Sequence, residues 1–138
     1  MANTGQYDKY FYFRSVTDED DDDAATNSVM VPTKNITGLE PYDAITKIRV
    51  WFENQTDHSV AGGSFDKTAG RQSYADLTVT RGKIKDVMAE IVQAINAGPH
   101  HDGVTVIADD VTTDFDGTTR NAVYLSNDIT ACEDIALA

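Results

Sequence analysis

The sequence predicts an α+β fold: a single domain in which one main helix packs on one face of a mostly antiparallel or mixed β-sheet of five or more strands. Three observations predict it. The chain has 138 residues, the length of one domain. Apolar residues recur at helical spacing over about 83–97, and they alternate with polar residues in several shorter segments. With no internal repeat or linker visible, we expect 1–138 to form one domain.

The helix prediction over 83–97 depends on one apolar stripe. Its members, three or four positions apart, are Ile84, Val87, Met88, Ile91 and Ile95. Gly98 and Pro99 follow directly, a pair that typically ends a helix. The helix therefore has one face for the core.

The strand predictions depend on alternation. Ile48, Val50 and Phe52 form one apolar face, and Ala75, Leu77 and Val79 form another. The expected strands are 10–16, 28–31, 47–53, 75–80, 104–108, 122–126 and 134–137. Pro32 makes the second an edge strand, because proline cannot donate to a ladder. The strand–helix–strand unit over 75–108 is consistent with a right-handed parallel crossover within one sheet.

Two connections are long for a domain of this size: an acidic loop at about 18–27 and a loop at about 54–73. Long loops often have a function. We therefore expect partner contacts in these two segments.

The net charge is −12, from 11 basic and 23 acidic residues. This charge disfavours nucleic acid and anionic membrane surfaces as partners, since both require a basic face. Half of the charge is the run 18–23, which we interpret as a solvated loop. Loose binding of Ca²⁺ or Mg²⁺ is the alternative, although a helix-loop-helix calcium loop would need Gly at Asp23 and Glu at Val29.

No catalytic signature is visible. The chain has no Gly-x-Ser-x-Gly elbow and no phosphate-binding loop. Cys132 is the single cysteine, and we predict that it is a small core residue. We also expect the chain to be made in a reducing cytoplasm. His100, His101 and Asp102 resemble a surface turn more than a metal site. We therefore expect no enzyme, no catalytic residue, no cofactor and no metal ligand.

Aromatic residues are the strongest candidates for an interface. Four consecutive rings, at 10–13, put large side chains on both faces of a strand. Either this strand is covered on both sides, or its outer face meets another chain, where Tyr and Phe are enriched. The candidate interface residues are Tyr10, Phe11, Tyr12, Phe13, Trp51 and Phe65.

Four segments, at 11–16, 31–38, 94–100 and 102–110, resemble small virion structural proteins of tailed phages that infect marine bacteria and cyanobacteria. They read FYFRSV, VPTKNITG, AINAGPH and DGVTVIADD. The resemblance implies a non-enzymatic capsid decoration or cement protein and, with it, a homo-oligomer. Its partners would be the major capsid protein and neighbouring copies of itself. It would be made in the host cytoplasm and lie on the capsid surface of the virion. The alternatives are a tail-tube, neck or baseplate component, and a divalent-cation-binding module.

Overall fold

The computed structural model describes residues 9–53, 72–97 and 103–137. In this part of the chain, eight strands and one α-helix are present. They are β1 (Tyr10–Arg14), β2 (Ser28–Pro32), β3 (Ile36–Tyr42), β4 (Ala44–Phe52), β5 (Ser73–Val79), α1 (Ile84–Ala97), β6 (Val104–Asp109), β7 (Val123–Tyr124) and β8 (Ile129–Ala136). Two single-turn 3-10 helices lie at Glu19–Asp21 and Thr33–Asn35.

The strands form two four-stranded sheets. The mixed sheet has the order β2-β1-β6-β7, with β1 antiparallel to β2 and parallel to β6. The antiparallel sheet has the order β3-β4-β5-β8. The α+β class and the single domain are confirmed, with the strands divided between two sheets where the pattern indicated a sheet of five or more.

The crossover prediction was wrong. β5 belongs to the antiparallel sheet and β6 to the mixed sheet, so α1 connects the two sheets. β6 runs parallel to β1 instead. Alternation shows which face of a strand is buried, but it does not identify the neighbouring strand.

One hydrophobic core joins both sheets and the helix. The predicted inward faces of β4 and β5 are confirmed, and Val87 and Ile91 of α1 are fully buried. In β6, however, the register shifts beside Tyr12, and Ile107 is buried while Val106 lies only half inside. The bulge changes the face that the alternation predicts.

Strand boundaries differ most at the sheet edges. β2 is an edge strand, as Pro32 predicts, whereas β3 is an edge strand that the pattern did not predict. Gly38 and Pro41 interrupt the alternation of β3, and both residues are tolerated at an edge. β8 is longer than expected and β7 shorter.

Of the two long connections, the structure describes the acidic loop but not most of the loop at about 54–73. Residues 54–71 lie outside the described residues, and β5 begins at Ser73. The acidic loop contains the 3-10 turn Glu19–Asp21 and a bridge between Asp18 and Thr113. No helix among the described residues has the length and apolarity needed to span a membrane.

Candidate functional site

Strand β1 is central in the mixed sheet and presents its two phenylalanines to the core. Phe11 is 1% exposed and Phe13 is 0% exposed. Tyr10 and Tyr12 are half-buried on the opposite side. The expectation that all four rings contribute to an interface is therefore corrected, because burial removes the two phenylalanines from the accessible surface.

Trp51 lies half-buried on the outer face of the antiparallel sheet. Its indole Nε1 donates to Glu40 Oε2 at 2.7 Å. Its ring meets Tyr74 edge to face, with centroids 5.4 Å apart. Of the other candidate interface residues, Phe65 lies outside the described residues.

Arg49 organises this outer face. It stands directly opposite Asp76 in the β4–β5 ladder. Its Nε and Nη2 donate to the two carboxylate oxygens of Asp76 at 2.8 and 3.0 Å. The guanidinium carbon also lies 3.4 Å from the ring centroid of Tyr42 and 3.5 Å from that of Tyr74. The hydrogen bonds to Asp76 raise the pKa of Arg49, so that its positive charge is permanent.

We call Tyr42, Arg49, Trp51, Tyr74 and Asp76 the aromatic face. Strand alternation places these side chains outward, opposite the buried partners Ile48, Val50 and Leu77. Tyr42 is 39% exposed, while Arg49 is only 7% exposed. The arrangement therefore offers solvent a set of rings whose positions are held by a buried ion pair, which suits binding by contact.

A second ion-pair cluster connects the mixed sheet to two loops. Arg14 stands opposite Asp109 in the β1–β6 ladder, and its Nε and Nη2 donate to Asp109 at 2.9 and 2.8 Å. Arg120 Nη2 donates to the same carboxylate at 3.1 Å. We call Arg14, Asp109, Arg120, Glu19 and Asp22 the charged cluster.

Electrostatics in the charged cluster favour ionised groups. Burial by itself would raise the pKa of Asp109, but the hydrogen bonds from Arg14 and from Val111 N, together with the charges of Arg14 and Arg120, bring this pKa below its ordinary value. The hydrogen bond to Asp109 raises the pKa of Arg14. Both groups are therefore charged at neutral pH.

The acidic run is partly folded into this cluster, which corrects its interpretation as a solvated loop. Asp22 lies 3.3 Å from Arg14 Nη1, and Glu19 lies 3.5 Å from the same atom. Asp22 also accepts a hydrogen bond of 2.6 Å from Ser28 Oγ. Asp20 and Asp21 remain exposed. Arg14, at the end of the aromatic strand, was the one signal in the sequence for this arrangement.

A third polar group links the two sheets. Asp110 accepts from the Tyr124 hydroxyl at 2.7 Å and from the backbone N–H of Cys132 at 2.9 Å. Burial raises the pKa of Asp110 and also that of the Cys132 thiol. Cys132 is confirmed as a small core residue, and its thiol stays protonated at neutral pH.

The described residues contain no group of three His, Cys, Asp or Glu side chains arranged to hold a metal ion. His100, His101 and Asp102 lie outside them. A groove of about 580 Å³ lies beside β7 and the beginning of β8, and Tyr124 and Asn127 contribute to its lining.

Comparison with known proteins identifies no relative. No protein-family model matches the chain, no curated protein matches its sequence, and no solved structure matches its fold.

Proposed function

We propose that this chain is a non-enzymatic structural protein of a phage virion, a capsid decoration or cement protein that binds the major capsid protein lattice and neighbouring copies of itself. The aromatic face is the observation that carries the proposal. It is a preformed binding surface made of the residue types that contribute most to protein interfaces.

The composition of the aromatic face supports binding. Tyr, Trp and Arg are the side chains enriched among residues that dominate binding energy. Tyr42, Trp51 and Tyr74 surround one arginine on adjacent strands. A partner that covers these rings would bury large aromatic area, and Arg49 would add no unpaired charge to the interface because Asp76 already neutralises it.

The rigidity of the aromatic face supports it further. Ordering a long side chain on binding costs about 0.5–1.5 kcal/mol. Here Arg49 is held by two hydrogen bonds and two rings, and Trp51 is held by Glu40. Most of this ordering is therefore complete in the free chain, as an anchoring surface requires.

Charge is consistent with a place on the outside of a particle. The chain carries −12, which repels DNA and keeps crowded copies soluble. A partner on the capsid would have to present apolar surface to the rings, with a polar or basic rim.

The experiment that tests the proposal is a count of this chain in purified particles by quantitative mass spectrometry. A copy number comparable with that of the major capsid protein is the expected result. A few copies per particle would instead favour the tail-tube, neck or baseplate alternative. Absence of the chain from the particle would overturn both.

A variant connects that count to the aromatic face. Tyr42→Ala removes its most exposed ring and should reduce occupancy on the particle. Met30→Ala, which truncates a 45% exposed side chain on the edge strand β2, is the matched control. Equal occupancy for both variants and the parent would show that the aromatic face is not the anchor.

A further inference from the structure

Phe115 is the most exposed large apolar side chain among the described residues, at 76%. It lies at the tip of a tight turn between β6 and β7. In this turn, Gly117 N donates to Asp114 O and Asp114 N donates to Thr118 O, each at 2.8 Å. Gly117 has a φ of 87°, a conformation in which glycine is favoured. A tip of this kind displays its side chain outward.

The backbone of Phe115 is held from a second segment. Its N–H donates to Glu19 Oε1 at 2.8 Å. Below the tip, the backbone of Thr113 forms isolated β-bridges with Asp18 and with Thr119. The position of Phe115 is thus set by contacts that do not involve its ring.

The base of the turn is anchored to the charged cluster. Arg120 Nη1 lies 3.6 Å from Asp114, while its Nη2 reaches Asp109. Arg14 joins Asp109 to Glu19, the residue that accepts from Phe115. The turn is therefore connected to the mixed sheet through ion pairs, and the backbone of its tip is already ordered in the free chain.

Carboxylates surround the tip. Asp114 and Asp116 flank Phe115 in the chain, and Glu19 contacts its backbone. Asp20 and Asp21 adjoin Glu19 and are exposed. Two arginines contact these carboxylates: Arg120 lies 3.6 Å from Asp114, and Arg14 lies 3.5 Å from Glu19. An apolar tip within an acidic surround complements an apolar pocket with a basic rim.

We propose that Phe115 and its acidic surround form a second docking element, which inserts into an apolar pocket rimmed by Lys or Arg on a capsid-protein neighbour. The inference rests on the proposed function and adds to it the chemistry of one partner site. A second copy of this chain is disfavoured as the occupant, because the surround would meet another strongly acidic protein. The aromatic face and the Phe115 turn belong to different sheets, so one chain can contact two neighbours.

The test is rebinding of purified protein to particles from which this chain has been stripped. Phe115→Ala should weaken binding about 10- to 100-fold, the effect of losing one buried aromatic side chain. Val92→Ala, which truncates an exposed side chain on α1, is the matched control and should bind as the parent does. Asp20→Asn with Asp21→Asn should slow association and reduce its dependence on salt.

The outcomes separate the two proposals. If the parent chain does not rebind, the proposed function fails and this inference fails with it. If the parent rebinds and Phe115→Ala rebinds equally well, the Phe115 element is overturned while the proposed function stands. A melting temperature of Phe115→Ala well below that of the parent would also overturn the inference, because the ring would then be packing within its own chain.

Discussion

Each sheet contains an arginine that stands directly opposite an aspartate on the neighbouring strand. In the mixed sheet the pair is Arg14 with Asp109, and in the antiparallel sheet it is Arg49 with Asp76. Both pairs are bidentate and both are buried. The hydrogen-bond geometry of the two side-chain pairs is therefore nearly the same, although β1 and β6 are parallel and β4 and β5 are antiparallel.

The surroundings of the two pairs differ. Arg49 is enclosed by the rings of Tyr42 and Tyr74, whereas Arg14 also faces Glu19 and Asp22. One cross-strand motif can therefore support two kinds of surface. Among rings it builds an apolar contact area, and among carboxylates it ties charged loops to a sheet.

The largest expected effect comes from deleting each arginine. Arg49→Ala leaves the 3% exposed Asp76 without its two hydrogen bonds, and we expect a loss of about 3–5 kcal/mol in the free energy of unfolding. Arg14→Ala should cost less, about 1–3 kcal/mol, because Asp109 keeps Arg120 and Val111 N as donors. Urea denaturation of the free protein measures both.

An exposed ion pair supplies the control for that experiment. Lys83 lies 3.8 Å from Asp86, and both side chains are largely exposed. Lys83→Ala should change the free energy of unfolding by less than about 0.5 kcal/mol. An equal or larger loss for Arg14→Ala than for Arg49→Ala would contradict the role assigned to Arg120.

The second prediction concerns pH. Because the pKa of Asp109 is lowered in the folded state, this carboxylate stabilises the fold above its ordinary pKa, and that contribution is lost as pH falls. The contribution of Asp110 to the free energy of unfolding has the opposite sign. Because its pKa is raised in the folded state, the fold gains stability as pH falls through that pKa. One group contributes a slope of at most about 1.4 kcal/mol per pH unit.

Urea midpoints measured from pH 7 to about pH 3 check these signs. Asp109→Asn should flatten the acid side of the stability curve, and Asp110→Asn should steepen it. If both variants changed the steepness of the acid side in the same direction, the two neighbouring carboxylates would not have opposite effects on stability.

The smallest expected effect is the coupling between each arginine and the tyrosine ring beside it. The guanidinium of Arg49 lies 3.4 Å from the Tyr42 centroid, whereas that of Arg14 lies 5.6 Å from the Tyr12 centroid. Double-mutant cycles with Arg→Met and Tyr→Leu should give a coupling of about 0.5–1 kcal/mol for the first pair and less for the second. Equal couplings would mean that ring contact does not distinguish the aromatic face from the charged cluster.

The candidate site was only partly predictable. Alternation along β4 placed Arg49 and Trp51 on one side, away from Ile48 and Val50, and the structure confirms it. Nothing local indicated that Tyr42 would lie over Arg49, because β3 carries Gly38 and Pro41 and does not alternate clearly. Pairing between distant segments follows from register, which single-strand patterns do not contain.

The charged cluster was less predictable still. A run of six acids usually repels itself into solvent, and here two of its members are drawn to Arg14. Phe115 was also missed, since a single aromatic residue inside an Asp-rich turn has no periodic pattern that would mark it as exposed.

The residue pattern was enough to predict the α+β class, the main helix at about 83–97, the inward faces of β4 and β5, and the excess of negative charge. These features are local, because periodicity and composition are properties of neighbouring residues. Tertiary structure alone decided the division into two sheets, the parallel pairing of β1 with β6, and the partners of Arg14 and Arg49. Each of these depends on segments distant in the chain, whose order in a sheet is selected by the packing of the whole core.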